Sequence, residues 1–189
     1  MSVRLVLASD SPRRKSLLLS LLREFEIVSP DVEELPRVGE TPRDMAGRLA
    51  GMKALSVSGG MPDACVIGAD TVVDIDGLAL SKPRDRNDSL KMLHMLNGRT
   101  HLVHTGIAVA ISGKLAASEV ETTGVTFGHL SDEEILEFAL SGAGDDKAGS
   151  YAIQGRGALL VEKIEGDYYN VVGLPIYRLK KILEKFVRL

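Results

Sequence analysis

Hydrophobic and polar positions follow two rhythms along this chain, and the chain switches between them repeatedly. Residues 4–8 form a short apolar run that predicts a strand. Over residues 12–23, Leu17, Leu18, Leu21 and Leu22 fall on one face at helical spacing, and Ser11 and Pro12 suit the N-cap and first helical position. Thr41-Pro42-Arg43-Asp44 reads as a capping box opening a helix that turns Met45, Leu49 and Met52 inward, with Lys53 at the border of that stripe. A buried-type strand over 65–75, a turn at Asp76-Gly77 and a return strand over 78–81 make a hairpin. A helix over 87–96, stopped by Gly98, precedes two strands, 102–111 and 119–127, joined at Ser112-Gly113. Residues 131–140 read as a capped helix with Glu134 three positions after Ser131. The chain closes with a glycine-rich loop over 143–157, a strand over 158–164, a turn at Glu165-Gly166-Asp167 and an amphipathic helix after Pro175.

Hairpins interleaved with helices predict an α/β protein whose sheet is mixed rather than wholly parallel, with helices on its faces. There is no internal repeat, low-complexity tract or linker, so the 189 residues read as one domain or two lobes sharing a cleft.

Composition narrows the class. A hydrophobic content of 44% and a charged content of 26% fit a soluble globular protein and exclude a disordered one. No apolar stretch approaches a membrane span, and the first 22 residues lack a signal-peptide cleavage pattern, which predicts a cytoplasmic protein without membrane contact. The single cysteine, Cys65, cannot form an intrachain disulfide and reads as a small core residue. A net charge of −3, with 4 Phe, 4 Tyr and no Trp, argues against a nucleic-acid polymer as partner.

A small anion is another matter. Arg13 and Arg14 occupy the first turn of the first helix, where each positive charge opposes the helix dipole at about 0.3–1 kcal/mol. That placement points to an anion, most naturally a phosphate, completing the site. Asp70 interrupts a strand that otherwise reads as buried and therefore needs a partner. A three-residue hairpin loop sets Asp70 opposite Lys82, a two-residue loop sets Thr71 there, and the residues alone do not choose. Pro83 ends the strand behind Lys82 and leaves its ammonium free to reach a ligand. Glu33, in the acidic run Asp31-Val32-Glu33-Glu34, is suited to hold a divalent metal together with Asp70. The chain lacks a phosphate-binding loop, a dinucleotide fingerprint, histidines at metal-ligand spacing and a Gly-x-Ser-x-Gly elbow, so hydride and acyl transfer have no support.

Five segments in order carry a resemblance across nearly the whole chain: Ser9-Asp10-Ser11-Pro12-Arg13-Arg14; Gly68-Ala69-Asp70-Thr71; Ser81-Lys82-Pro83; the run from Asp146-Lys147-Ala148 through Tyr151 to Gln154-Gly155; and Gly166-Asp167-Tyr168-Tyr169-Asn170 through Pro175. Together they resemble the Maf family of nucleoside triphosphate pyrophosphatases. The resemblance implies an elongated mixed sheet with two lobes around a deep cleft, and hydrolysis of a nucleoside triphosphate to the monophosphate and pyrophosphate. It implies that Asp70 is the proton acceptor, that Arg14, Glu33, Lys53 and Lys82 line the active cleft, and that Mg²⁺ or Mn²⁺ is held by Glu33 and Asp70. Glycine often precedes the family's lysine-proline pair, so Ser81 is a departure.

Arg13, Thr71 and Gln154 resemble the branch acting on dTTP and UTP rather than the branch acting on 7-methyl-GTP, which typically has a tryptophan where Arg13 stands. The Gln154 carboxamide offers both a donor and an acceptor, as the imide edge of uracil or thymine requires. Two other functions compete: a non-catalytic regulator of cell division, and a house-cleaning pyrophosphatase for ITP or XTP. Apolar outer strands leave homodimer formation open.

Overall fold

The computed structural model describes residues 3–188. In chain order the elements are β1 (Arg4–Ala8), α1 (Pro12–Leu19), β2 (Glu26–Val28), α2 (Pro42–Ser58), β3 (Ala64–Ile75), β4 (Leu78–Leu80), α3 (Arg86–Leu96), β5 (Thr100–Ile111), β6 (Lys114–Phe127), α4 (Asp132–Leu140), β7 (Val161–Glu165), α5 (Tyr168–Val172) and α6 (Ile176–Leu183). One sheet runs β2-β1-β3-β5-β6-β7, with β4 paired to β3. β1 is parallel to β2 and β3, and every other pair is antiparallel. The sheet is therefore mixed, as the interleaved hairpins predict.

The expected helix starts are present with their caps: Ser11 accepts from the Arg14 amide, Thr41 from Asp44, and Ser131 forms a complete capping box with Glu134. α1 ends earlier than the leucine pattern predicts, although Leu22 remains buried. The strand expected from residue 158 starts at Val161, because Gly155–Leu159 coil into a 3-10 turn. β2 and α5 escape prediction: at three and five residues, neither is long enough to display a period.

β3 and β5, twelve residues each, run through two hydrophobic clusters and so join two lobes. In one, Val73, Ile75 and Val103 pack with Leu93 and Leu96 of α3 and Ile135 and Phe138 of α4. In the other, Cys65, Ile67, Ile107 and Val109 pack with Leu7, with Leu18 of α1 and with Leu179 and Ile182 of α6. Cys65 is fully buried there, in the core position expected of it. Among the described residues, no helix is long and apolar enough to cross a membrane.

Between the lobes the sheet is interrupted. β5 pairs with β3 continuously from Cys65 to Asp74 along one edge. On the other edge β1 pairs only as far as Gly68, and β4 only from Val73 onward. Residues 69–72 thus have a strand neighbour on one side alone, and the opposite side opens as a cleft. The hairpin closes through a two-residue loop with Ile75 opposite Leu78, and both Asp76 (φ 55°) and Gly77 (φ 83°) are left-handed. Pairing ends at Leu80, so Lys82 leaves the sheet at the rim of the cleft and faces neither Asp70 nor Thr71 across a ladder.

α2 covers one face of β3 and β5 at very short range. A Cβ on Gly68 would lie 2.3 Å from the Ala50 carbonyl oxygen, and one on Gly106 would lie 2.2 Å from that of Ala46. The alanines at 46, 50 and 54 recur at helical spacing and meet strand positions that must be glycine or alanine. This close approach carries Lys53 down onto the sheet beside Asp70, which shares its strand face with Gly68 and stands opposite Gly106.

Candidate active site

The cleft encloses about 530 Å³ and is lined from both lobes. Its floor is the unpaired stretch of β3, its near wall the β1–α1 junction and α2, and its far wall the segment after β4 together with the glycine-rich loop. Arg13, Arg14, Lys53, Asp70, Thr71, Lys82 and Gln154 all line it. One expected residue does not: Glu33 is exposed and lies off the cleft, whereas its neighbour Glu34 lines it. The expectation of Glu33 beside Asp70 is corrected accordingly.

Asp70 and Lys53 are each only 6% exposed. Lys53 Nζ donates to Asp70 Oδ1 at 2.6 Å and stands 2.5 Å from Glu34 Oε1. Glu34 reaches this point because Arg48, on α2, donates to the Leu35 carbonyl at 3.0 Å and grips Glu40 with two nitrogens, holding the irregular chain before α2 against that helix. Burial pushes the Asp70 carboxyl above its ordinary value, although Lys53 and Arg14 pull the other way. Glu34 behaves oppositely: burial disfavours its ionised form, but the hydrogen bond and charge of Lys53, with Lys82 and Arg14 farther off, hold it below the ordinary carboxylate range. Two neighbouring carboxylates thus differ in basicity, and the more basic one is the more enclosed.

Arg14 is fixed by contacts remote in sequence. Its Nε donates to the Gly173 carbonyl at 2.8 Å and its Nη2 to Thr71 Oγ1 at 3.0 Å, with Ser9 Oγ 3.5 Å from Nη1. Thr71 Oγ1 lies 2.9 Å from Thr105 Oγ1, which donates to the Asn170 carbonyl. Asn170 is fully buried and donates to Val103 and Thr123, so α5 is locked to β5 and β6. The last of the five sequence segments therefore serves as the seat of Arg14. Burial lowers the pKa of Arg14 against the opposing pull of Asp70.

The far wall adds residues that the sequence reading did not single out as functional. Asp146 and Lys147 line the cleft beside Gln154, and Tyr151 and Ile153 join Val73, Val103 and Val172 in an apolar surface. Tyr151 is backed by Phe127 and His101 in edge-on ring contacts, and its hydroxyl lies 2.6 Å from His101 Nε2. Sequence carried little signal for Lys147: a lysine in a glycine-rich loop reads as surface until the loop is placed.

The arrangement offers an enclosed base, a row of cations from both lobes and an apolar wall. Glu34 and Asp70 both approach the Lys53 ammonium within 2.6 Å, so a single cation can touch both carboxylates. Among the described residues there is no group of three or more His, Cys, Asp or Glu suited to a metal ion. Glu34 and Asp70 are oxygen donors of the kind from which a hard divalent ion takes one or two, completing its shell with phosphate oxygens, and in this structure the Lys53 ammonium bridges them.

Comparison with known proteins agrees with this architecture. The family described as Maf-like protein matches residues 4–186. The chain is 47% identical over 184 residues to a protein of Pelotomaculum thermopropionicum named dTTP/UTP pyrophosphatase, covering 96% of each. It is 45% identical over 183 residues to a protein of the same name from Bacillus cereus, covering 97% of this chain and 95% of the relative. Among solved structures, the Ham1 protein of Staphylococcus aureus superposes with a TM-score of 0.53 at 14% identity, covering 96% and 98% of the two chains. A HAM1 protein from Coxiella burnetii gives 0.53 at 17% identity, covering 97% and 99%, a likeness of fold. With its five segments gathered around one cleft and its family match running almost end to end, this chain belongs to the Maf family.

Proposed function

We propose that this protein hydrolyses dTTP and UTP to the nucleoside monophosphate and pyrophosphate in the cleft where the sheet is interrupted. The observation that carries the reading is Asp70: a carboxylate enclosed in a cation-lined cleft and raised in basicity by burial, yet held in place by Lys53. The relatives named dTTP/UTP pyrophosphatase support the same substrates.

Water attacks the α phosphorus in line, Asp70 accepts its proton, and the bond to the bridging oxygen breaks as pyrophosphate departs. Arg14, rigidly seated on Gly173 and Thr71, and Lys82, which has no carboxylate partner among the described residues, neutralise the triphosphate. Lys53 orients Asp70 and keeps it ionised between turnovers. Mg²⁺ or Mn²⁺, held by Asp70 and Glu34, would supply charge neutralisation on the phosphates and favour ionisation of the attacking water. Gln154 and Arg13 face the base from opposite walls, against the apolar surface of Val73, Tyr151 and Ile153. Thr71 contributes to selectivity through its hold on Arg14, since its hydroxyl is already engaged. Such an enzyme acts on the free nucleotide pool, and a cytoplasmic location is part of this proposal.

The test is pyrophosphate release from dTTP, UTP, CTP, ITP and 7-methyl-GTP, with Mg²⁺ or Mn²⁺. Metal-dependent turnover strongest with dTTP and UTP is expected. A preference for 7-methyl-GTP or ITP overturns the substrate assignment, and no turnover of any nucleotide overturns the enzymatic reading.

A further inference from the structure

We propose that Lys147 is a substrate-binding residue that, with Lys82, grips the departing pyrophosphate. The proposal rests on the pyrophosphatase reading above.

Its backbone is placed with little freedom. The Lys147 amide donates to the Gly144 carbonyl at 3.0 Å, and the Gly149 amide donates to the Ser81 carbonyl at 3.1 Å. Ser150 Oγ lies 2.6 Å from Ser89 Oγ in a buried contact with α3. Gly149 itself is left-handed (φ 67°) and lies so close to β3 that an added Cβ would stand 3.1 Å from the Val73 side chain. The Gly149–Ser81 bond ties the loop carrying Lys147 to the residue preceding Lys82. Both lysines therefore project from one wall of the cleft, facing Arg14 and Lys53 on the other.

The charge on Lys147 is available. Its side chain is only 13% exposed, yet among the described residues its one carboxylate contact is Asp146, adjacent in sequence and 76% exposed. The Asp146 carboxylate stands in water, so its hold on Lys147 is screened and can be exchanged for a phosphate. Lys53, by contrast, is committed to two carboxylates inside the cleft. Of the triphosphate's parts, the leaving pyrophosphate gains negative charge as the bond breaks, so it is the part that two cations on one wall, Lys82 and Lys147, would stabilise most.

Product inhibition separates the two halves of the site. At fixed Mg²⁺, the inhibition constants of pyrophosphate and of UMP are measured for the wild type, Lys147→Met and Lys147→Arg, with thermal melting as the check on folding. For Lys147→Met, pyrophosphate inhibition is expected to weaken by roughly tenfold, UMP inhibition to hold within twofold and KM for UTP to rise; Lys147→Arg should restore most of the pyrophosphate affinity. Unchanged pyrophosphate inhibition in Lys147→Met overturns the proposal. So does a loss confined to UMP, which would place Lys147 at the nucleoside, or an equal loss of both, which would make its role structural. If the methionine variant does not fold, the arginine variant decides: wild-type inhibition by both products supports the proposal, and equal weakening of both overturns it. A wild type that releases no pyrophosphate from UTP or dTTP removes the underlying reading instead, which the same assay reports before any variant is made.

Discussion

Lys53 Nζ and Asp70 Oδ1 lie 2.6 Å apart, one on α2 and the other on the floor of the cleft, and both are almost wholly buried. The contact exists because Gly68 and Gly106 let α2 settle onto the backbone of β3 and β5. Burial weakens the hold of Asp70 on its charge, and Lys53 partly restores it. A general base works best when its pKa is raised toward the operating pH while it stays ionised.

Asp70→Asn keeps the shape of the side chain and removes its basicity. We expect kcat to fall by about 10²–10⁴-fold with a much smaller change in KM. In the wild type, the acid limb of kcat/KM should lie above the ordinary aspartate value of 3.8, because the base is active only when ionised and burial raises its pKa. Removing positive charge with Lys53→Gln should move that limb to higher pH, since the ionised form then loses its nearest support. A limb that stays put in Lys53→Gln, or near-normal turnover in Asp70→Asn, would assign the base elsewhere.

Glu34 and Glu33 are adjacent in sequence but only Glu34 lines the cleft. Glu34→Gln should raise the Mg²⁺ concentration giving half-maximal activity by roughly tenfold or more, whereas Glu33→Gln should leave it within twofold. A metal titration of the two variants side by side checks this, and the reverse order would show that the chain before α2 rearranges when substrate binds.

Gly173 has a φ of +121°, and a Cβ there would lie 3.4 Å from Thr71 Oγ1 and 3.7 Å from Arg14 Nε. Both are ordinary contact distances, so the cost of Gly173→Ala lies in the backbone: about 1–3 kcal/mol of stability, with relief of the strain shifting the carbonyl that seats Arg14. The expected signature is a fall of roughly tenfold or more in kcat/KM at temperatures where the variant remains folded. Denaturant unfolding and kinetics on the same sample distinguish this from strain alone, which would leave kcat/KM unchanged.

His101 is 1% exposed, and burial lowers its pKa from 6.5 to about 4. Since the unfolded chain then binds the proton more readily than the folded one, stability is complete above pH 6.5 and drains away as pH falls toward 4. At pH 5 this one residue should account for about 2 kcal/mol of lost stability. Urea denaturation of wild type and His101→Gln at pH 7 and pH 5 checks it: the wild type should lose more on acidification, by about that amount.

Much of this molecule is written locally in its sequence. Ser11, Thr41 and Ser131 cap the helices they precede, and Asp76-Gly77 closes a tight hairpin, because caps and turns depend on a few neighbouring residues. The motifs around Arg14, Asp70, Lys82 and Gln154 were legible too, and the fold brings all four to one cleft. Only the tertiary structure decided the rest. The sheet break at residues 69–72 arises from where β1 and β4 each stop pairing with β3, a relation between segments that no single stretch encodes. Arg14 is seated by Gly173, 159 residues away, through the short α5, which shows no period of its own. The choice of Glu34 over Glu33 turns on the path of an irregular segment pinned by Arg48. Local propensity acts over a few residues, whereas these features depend on which distant backbones approach one another, and that is set by packing of the whole chain.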